Sequence, residues 1–80
     1  MSADNPEAAA SVTIGVLGYR ARCIEPACGN RARLGFRYAD TRGRPIAHLV
    51  RCHEHGRERL ARDGAAGLKV YGDREVHAKT

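Results

Sequence analysis

The chain has 80 residues, 42% of them apolar, and a formal net charge of +5. A chain of this length forms one domain that buries little surface. With no Trp and a single Phe, it has few large side chains for a core, so a bound metal would add stability. No stretch approaches the roughly 20 apolar residues of a membrane span, and the N-terminal residues show no secretory signal.

The chain begins with residues 1–10, which are small, polar and slightly acidic and are expected to form a disordered tail. The first predicted strand follows, because apolar residues alternate with smaller or polar ones from Val12 to Val16. Gly15 and Gly18 weaken this pattern and indicate a bend or a bulge.

The next segment is a loop that carries Cys23 and Cys28, with four residues between them. Pro26 restricts the backbone inside this loop, and Gly29 is expected to take the positive φ of a tight turn. A turn of this kind directs backbone N–H groups toward thiolate sulfur and stabilises its charge. The pattern is typical of a zinc knuckle.

A β-hairpin is predicted over residues 33–51. Its first strand alternates from Leu34 to Tyr38, which directs the larger apolar side chains to one face. The segment 40–45 contains Asp, Gly and Pro and is predicted to be the turn, and residues 46–50 form the returning strand.

One short helix is predicted from Glu54 to Asp63, with acidic residues near its start and arginines near its end, as the helix dipole favours. Gly64 is expected to stop it. A last strand over residues 68–71 could pair with the first one. The folded domain is therefore predicted to cover residues 11–72, and residues 73–80 are expected to be a frayed, charged tail.

All three cysteines fall into one metal-ligand pattern. Cys23 and Cys28 form C-x4-C, twenty-three residues follow, and Cys52 and His55 form C-x2-H. Three thiolates and one imidazole make a closed tetrahedral set for Zn²⁺. The alternative is three free buried cysteines and an unrelated histidine. An odd number of cysteines argues against a disulfide framework and for reduced thiols in the cytoplasm.

The chain has four histidines, and spacing selects one of them as the ligand. Two intervening residues allow Cys52 and His55 to reach one metal ion, whereas the adjacent His53 points away and is expected on the surface or supporting the site. His48 is expected to be a half-buried histidine of the hairpin. His77 lies in the predicted tail, where no specific role is expected.

The succession of knuckle, hairpin and helix resembles the treble-clef zinc finger over residues 21–63. The resemblance implies that Cys23 and Cys28 come from the knuckle and that Cys52 and His55 come from the start of the helix. The knuckle departs from the usual pattern, since it has four intervening residues instead of two. The prediction is a small zinc-stabilised α+β treble-clef domain with flanking terminal strands. A zinc ribbon, which has no helix after its second knuckle, is the competing fold.

Enzymatic function is not expected. C-x4-C is not the C-x-x-C motif of thiol oxidoreductases, and a catalytic zinc keeps an open position, which would require losing His55 and using Glu54. Some treble-clef nucleases carry an Asp-His pair ahead of the hairpin and a further Asn or His on the helix. Here residues 29–31 are Gly-Asn-Arg and residues 56–58 are Gly-Arg-Glu, so the resemblance to nucleases is limited to the scaffold.

Arginine dominates the charge of the central segment. Residues 20–62 contain eleven Arg and four acidic residues, which gives +7 before a metal is counted. Arg33 and Arg37 are expected on the outer face of the hairpin, and Arg42 and Arg44 at its tip. This strip suits phosphate contacts and predicts binding to nucleic acid or a ribonucleoprotein assembly. A protein-binding adaptor and a merely solvated face are the alternatives, and no small-molecule substrate is expected.

Overall fold

The computed structural model describes residues 8–77. Its elements are β1 (Ser11–Val16), β2 (Leu34–Ala39), β3 (Pro45–Arg51), α1 (His53–Ala65), β4 (Lys69–Tyr71) and α2 (Arg74–His77). The strands form one sheet in the order β3-β2-β1-β4, in which only β1 and β4 run parallel. The fold is therefore α+β, as predicted, and β4 pairs with β1. Neither helix of the described residues is long and apolar enough to cross a membrane.

The core lies between the sheet and α1. Leu34, Phe36 and Tyr38 of β2 are buried, and Val12 and Ile14 of β1 lie opposite Tyr38 and Phe36. Burying a large apolar side chain stabilises the fold by about 1.5–3 kcal/mol, so this cluster supplies most of the apolar contribution. The alternation predicted for β2 is confirmed.

A buried arginine also belongs to this core. Arg51, at the end of β3, is only 3% exposed. Its guanidinium carbon lies 4.7 Å from the ring centroid of Phe36, and its Nη1 donates a hydrogen bond of 3.4 Å to the hydroxyl of Tyr38. The aromatic faces replace part of the hydration that this cation loses.

Helix α1 extends beyond both of its predicted ends. It begins one residue before Glu54 because Cys52 is the N-cap, and Cys52 Sγ accepts a hydrogen bond of 3.4 Å from the backbone N–H of His55. Gly64 lies inside the helix and does not stop it. The left-handed residue is Gly67, with φ of +89°, and its N–H donates to the Gly64 carbonyl to close the last turn.

The two ends of the described chain are more ordered than the sequence suggests. Val76 of α2 is fully buried in the core, so the tail expected over residues 73–80 is wrong for its first part. Gly72 permits this return with φ of +75°, and a side chain there would overlap the Ile14 carbonyl oxygen. At the other end, Ala10 donates a hydrogen bond to the Ala39 carbonyl. The rest of the predicted tails, residues 1–7 and 78–80, lies outside the described residues.

The sheet face opposite α1 is open to solvent in the described structure. One row of paired, exposed residues crosses all four strands: His48, Arg37, Thr13 and Tyr71. In a neighbouring row Gly15 and Gly35 lie directly opposite each other on β1 and β2. The two glycines leave a gap between the side chains of this face.

Candidate metal centre

Cys23 and Cys28 lie in a short two-stranded loop between β1 and β2. An isolated antiparallel bridge pairs Arg22 with Arg31. Inside this bridge the N–H of Cys23 donates a hydrogen bond of 3.1 Å to the Asn30 carbonyl. The backbone pairing fixes the separation of the two cysteines without a larger element.

The turn between these cysteines contains a strained residue. It is closed by a hydrogen bond of 3.1 Å from the Cys28 N–H to the Glu25 carbonyl. Pro26 and Ala27 are its central residues, and Ala27 has φ of +63°. The sequence analysis expected Gly29 to be the left-handed residue, which is wrong, because Ala27 is the second central residue of this turn and takes the positive φ that a type II turn has there. An alanine in this conformation costs about 1–2 kcal/mol.

Cys52 and His55 come from the junction of β3 and α1. As the N-cap, Cys52 directs its sulfur back over the first turn, where the His55 side chain also lies. The backbone of the first ligand loop is held against this junction, since the Ile24 N–H donates to the Val50 carbonyl at 2.9 Å. The two ligand pairs therefore meet at one end of the hairpin.

The four candidate ligand atoms lie within 4.8 Å of one another. Cys28 Sγ is 3.9 Å from Cys52 Sγ, and His55 Nδ1 is 3.6 Å from Cys23 Sγ and 3.2 Å from Cys52 Sγ. Zn–S bonds of about 2.3 Å and Zn–N bonds of about 2.0 Å in a tetrahedron place neighbouring ligand atoms about 3.5–3.8 Å apart. These three separations are close to those of a tetrahedral site, and Nδ1 is the His55 nitrogen that lies beside the thiols.

The protonation of these groups favours a bound cation. Burial acts to raise the pKa of the Cys52 thiol, but hydrogen bonds from the backbone and side chain of His55 lower that pKa to about 7. The Asn30 backbone acts to lower the pKa of Cys28, whereas burial and the neighbouring thiols Cys23 and Cys52 raise it overall. Hydrogen bonds with Cys23 and Cys28 also lower the pKa of Cys52, whereas these neighbours oppose ionisation of Cys28, and a divalent cation among the thiols would remove that obstacle.

The donor set fits zinc chemistry. Three sulfur ligands and one imidazole are a combination that structural Zn²⁺ sites use, and such a set leaves no coordination position for water. Cys28 and Cys52 are too far apart to form a disulfide without movement, because an S–S bond is about 2.05 Å long. The arrangement can hold a metal ion that cross-links the loop to α1.

The other histidines lie outside this group. His53 lines a cleft with Arg33 at the start of α1, and its Nε2 is buried without a hydrogen-bond partner. His48 is exposed on the open sheet face, not half-buried as predicted, since Gly35 leaves space for its ring to lean over β2. His77 is the last residue of α2.

The four arginines predicted to contact nucleic acid are spread along the hairpin. Arg33 lies in the cleft beside α1, and Arg37 is exposed in the middle of the open face. Arg42 and Arg44 are exposed at the tip, where both backbone N–H groups donate to the Asp40 carboxylate at 2.9 Å. A six-residue strand is about 17 Å long, so these residues do not form one compact patch.

A second group of arginines was not singled out from the sequence. Arg20, Arg22 and Arg31 are exposed and line one groove with a volume of about 620 Å³. A turn centred on residues 26 and 27 would by symmetry place residue 22 opposite residue 31. The proximity of Arg22 and Arg31 could therefore be predicted once the turn was located, but the composition of the segment gives no sign of it.

No protein-family model matches the chain, and no curated protein or solved structure matches it. The functional argument therefore depends on this chain's own residues, above all the ligand group and the exposed arginines.

Proposed function

We propose that this protein is a small treble-clef zinc module of the cytoplasm that binds nucleic acid through its exposed arginines and catalyses no reaction. Zinc would be held by Cys23, Cys28, Cys52 and His55, where it supplies a structural cross-link. The treble-clef assignment is supported by a ligand loop, a hairpin and a helix that follow one another in the expected order.

The observation that carries the nucleic-acid proposal is the pairing of Arg22 with Arg31. Both residues are exposed, and they face each other across an antiparallel bridge. Like charges in this position repel and destabilise the pairing. An anion between them would replace the repulsion by two charge-assisted hydrogen bonds, and phosphate fits the planar donors of arginine well.

The distribution of carboxylates adds to this argument. Within the described residues, one side-chain ion pair is closer than 4.0 Å, and it joins Arg59 to Asp63 on α1. The arginines of the ligand loop and of the hairpin have no such partner there. Positive charge without carboxylate partners raises the local concentration of polyanions and their association rate.

The proposed surface contains Arg20, Arg22 and Arg31 beside the ligand loop, and Arg37 on the open sheet face. Arg42 and Arg44 at the hairpin tip and Arg33 beside α1 extend it. Contacts of this kind neutralise phosphates and read no base sequence, so affinity should depend strongly on salt.

A protein-binding adaptor is the second candidate, and one observation favours it. Val16 is 68% exposed and Tyr19 is 56% exposed on the segment that leads into the ligand loop, and Ile24 is exposed within that loop. Apolar exposure of this kind is a feature of protein-binding surfaces when it is contiguous. An adaptor would bind one dominant protein partner with a modest dependence on salt.

The test is the affinity for a labelled oligonucleotide of mixed sequence as a function of salt. Each phosphate contact contributes about 0.7–0.9 to the slope of log K against log salt. The double variant Arg22→Gln/Arg31→Gln should therefore lower the slope by about 1.4–1.8. The double variant Arg57→Gln/Arg74→Gln, which removes the same charge from exposed helix positions, should change it little. Absence of binding at low salt, or equal slopes in both variants, would refute the proposal.

A further inference from the structure

The open sheet face contains a slot whose floor has no side chains. Gly15 and Gly35 are paired on adjacent strands, and the cavity above them has a volume of about 370 Å³. Its lining includes Thr13, Leu17, Tyr19, Arg37 and His48. Glycine inside a strand weakens the strand, and it commonly marks a place where another group approaches the backbone closely.

The two glycines contribute differently to this slot. A Cβ on Gly35 would lie 2.9 Å from Nε2 of His48 and 3.4 Å from Cδ1 of Leu17, so these two side chains already cover that half of the floor. A Cβ on Gly15 would meet no atom within 4 Å. The slot is therefore open above β1 and bounded above β2.

Three of the side chains that line the slot share one chemistry. The phenol of Tyr19, the imidazole of His48 and the guanidinium of Arg37 are all flat groups with apolar or delocalised faces. Such groups stack on nucleobases whatever the base is. The described strand positions of this face include Arg37 and Lys69 and no Asp or Glu. The complementary ligand is planar and anionic.

Consecutive residues line the slot and the arginine groove of the ligand loop. Tyr19 lines the slot, and the next residue, Arg20, lines the groove that Arg22 and Arg31 share. A chain of nucleotides could place a base in the slot and its neighbouring phosphates along the groove. In a duplex the bases are stacked and paired, so they cannot enter a slot on a sheet face, and no helix lies on this face of the described structure to enter a groove of DNA.

We infer that the open sheet face binds single-stranded nucleic acid, with one base stacked over Gly15, in the open half of the slot, beside Tyr19 and His48. The inference rests on the proposed function and adds the strandedness of the ligand and the position of a base.

The deciding variant is Gly15→Val. Its backbone is not in the left-handed region, a β-branched residue suits a strand, and a Cβ at this position meets no atom within 4 Å. Ser11→Val is the matched control, because it places the same valine side chain on the same face of β1 four residues away. Binding is measured by fluorescence anisotropy with a single-stranded oligonucleotide of mixed sequence and with the duplex formed from it.

The wild-type protein should bind the single strand about tenfold more tightly than the duplex, and Gly15→Val should lose about tenfold for the single strand. The salt slope should stay unchanged, since stacking releases no counterions. Ser11→Val should behave as wild type. If Gly15→Val does not fold, as judged by metal content and far-UV spectrum, Tyr19→Ala provides the same test, because it removes an exposed stacking group.

Equal affinity for single strand and duplex would refute base binding in the slot and leave the proposed function standing. The same conclusion follows if Gly15→Val, or Tyr19→Ala where it replaces that variant, binds the single strand as tightly as wild type. Absence of binding to either nucleic acid overturns both.

Discussion

The hydroxyl of Tyr38 donates a hydrogen bond of 2.8 Å to Oδ2 of Asp63, which joins the middle of the sheet to the C-terminal half of α1. Both residues are buried. The second carboxylate oxygen of Asp63 accepts a hydrogen bond of 3.1 Å from Nε of Arg59. A carboxylate removed from water needs such donors, so the Tyr38 hydroxyl helps to hold α1 on the sheet.

Tyr38→Phe should lower the free energy of unfolding by about 1–3 kcal/mol, because it leaves one oxygen of a buried carboxylate without its donor. Tyr71→Phe, at a position that is 53% exposed, should change it by no more than about 0.5 kcal/mol. Urea unfolding of the metal-loaded proteins at neutral pH compares the two. A Tyr38→Phe loss as small as that of Tyr71→Phe would contradict the role of this hydrogen bond.

Stability should also fall in alkaline solution because of Tyr38. Its pKa is raised above 10, first by burial and then by the bond to Asp63, while Arg51 and Arg59 act in the opposite direction. The folded state therefore keeps this proton at a pH where the unfolded chain loses it. The contribution is fully present below pH 10 and is lost as pH rises through the folded pKa. In urea unfolding between pH 9 and 11, the free energy of unfolding should decline more steeply with pH for wild type than for Tyr38→Phe. Parallel curves would rule out this contribution of Tyr38.

His53 and His55, two positions apart, provide a matched test of the metal site. His55→Ala should abolish stoichiometric zinc binding and leave the chain largely unfolded, because a structural zinc contributes about 10 kcal/mol or more of apparent binding free energy at neutral pH. His53→Ala should keep the metal. Zinc content by mass spectrometry and far-UV spectra with and without chelator measure both. Retention of one zinc per chain by His55→Ala would remove His55 from the ligand set.

Ala27→Gly should stabilise the protein. It relieves an alanine held at φ of +63°, which is worth about 1–2 kcal/mol, and it costs about 0.5–1 kcal/mol in the entropy of the unfolded chain. A net gain of about 0.5–1 kcal/mol is expected in urea unfolding of the metal-loaded protein. Gly29→Ala is the control, since position 29 has no positive φ and no atom near its side chain. A loss on Ala27→Gly would show that the turn differs from the structure.

Substitution by alanine should destabilise the protein to different extents at two glycines with positive φ. Gly67→Ala meets no neighbouring atom and should cost about 1–2 kcal/mol for its left-handed backbone alone. Gly72→Ala has the same backbone cost and also overlaps the Ile14 carbonyl, so β1 or the return into α2 must move. Its loss in thermal or urea unfolding should be clearly larger. Equal losses would mean that the Ile14 contact is not present.

The sequence was sufficient where a local pattern carries the structure. Alternation identified β2 because one face of that strand is buried from Leu34 to Tyr38. Spacing identified the four side chains that the structure brings together, because metal coordination requires residue types at short, regular separations. The position of His55 on the first turn of α1 followed from the same rule.

Features set by non-local contacts could not be predicted. The burial of Val76 depends on the chain turning back toward the core at Gly72, and no sequence pattern in residues 73–77 predicts this turn. The slot requires Gly15 and Gly35 to be opposite each other, and the register of two strands separated by the ligand loop is not visible in either strand. The end of α1 was misplaced because Gly64 lies inside the helix, and Gly67 is the glycine that takes the left-handed conformation after it.

β1 is the first strand in the sequence, yet it lies inside the sheet, between β2 and β4. All four candidate metal ligands lie between it and its parallel partner in the sequence. Residues 69–71 are therefore made after the other three strands, and until then the backbone edge of residues 11–13 has no neighbour. Unpaired edges of this kind join other chains. Proteolytic clipping before residue 69 would expose the same edge, so loss of a three-residue strand would favour self-association through β1.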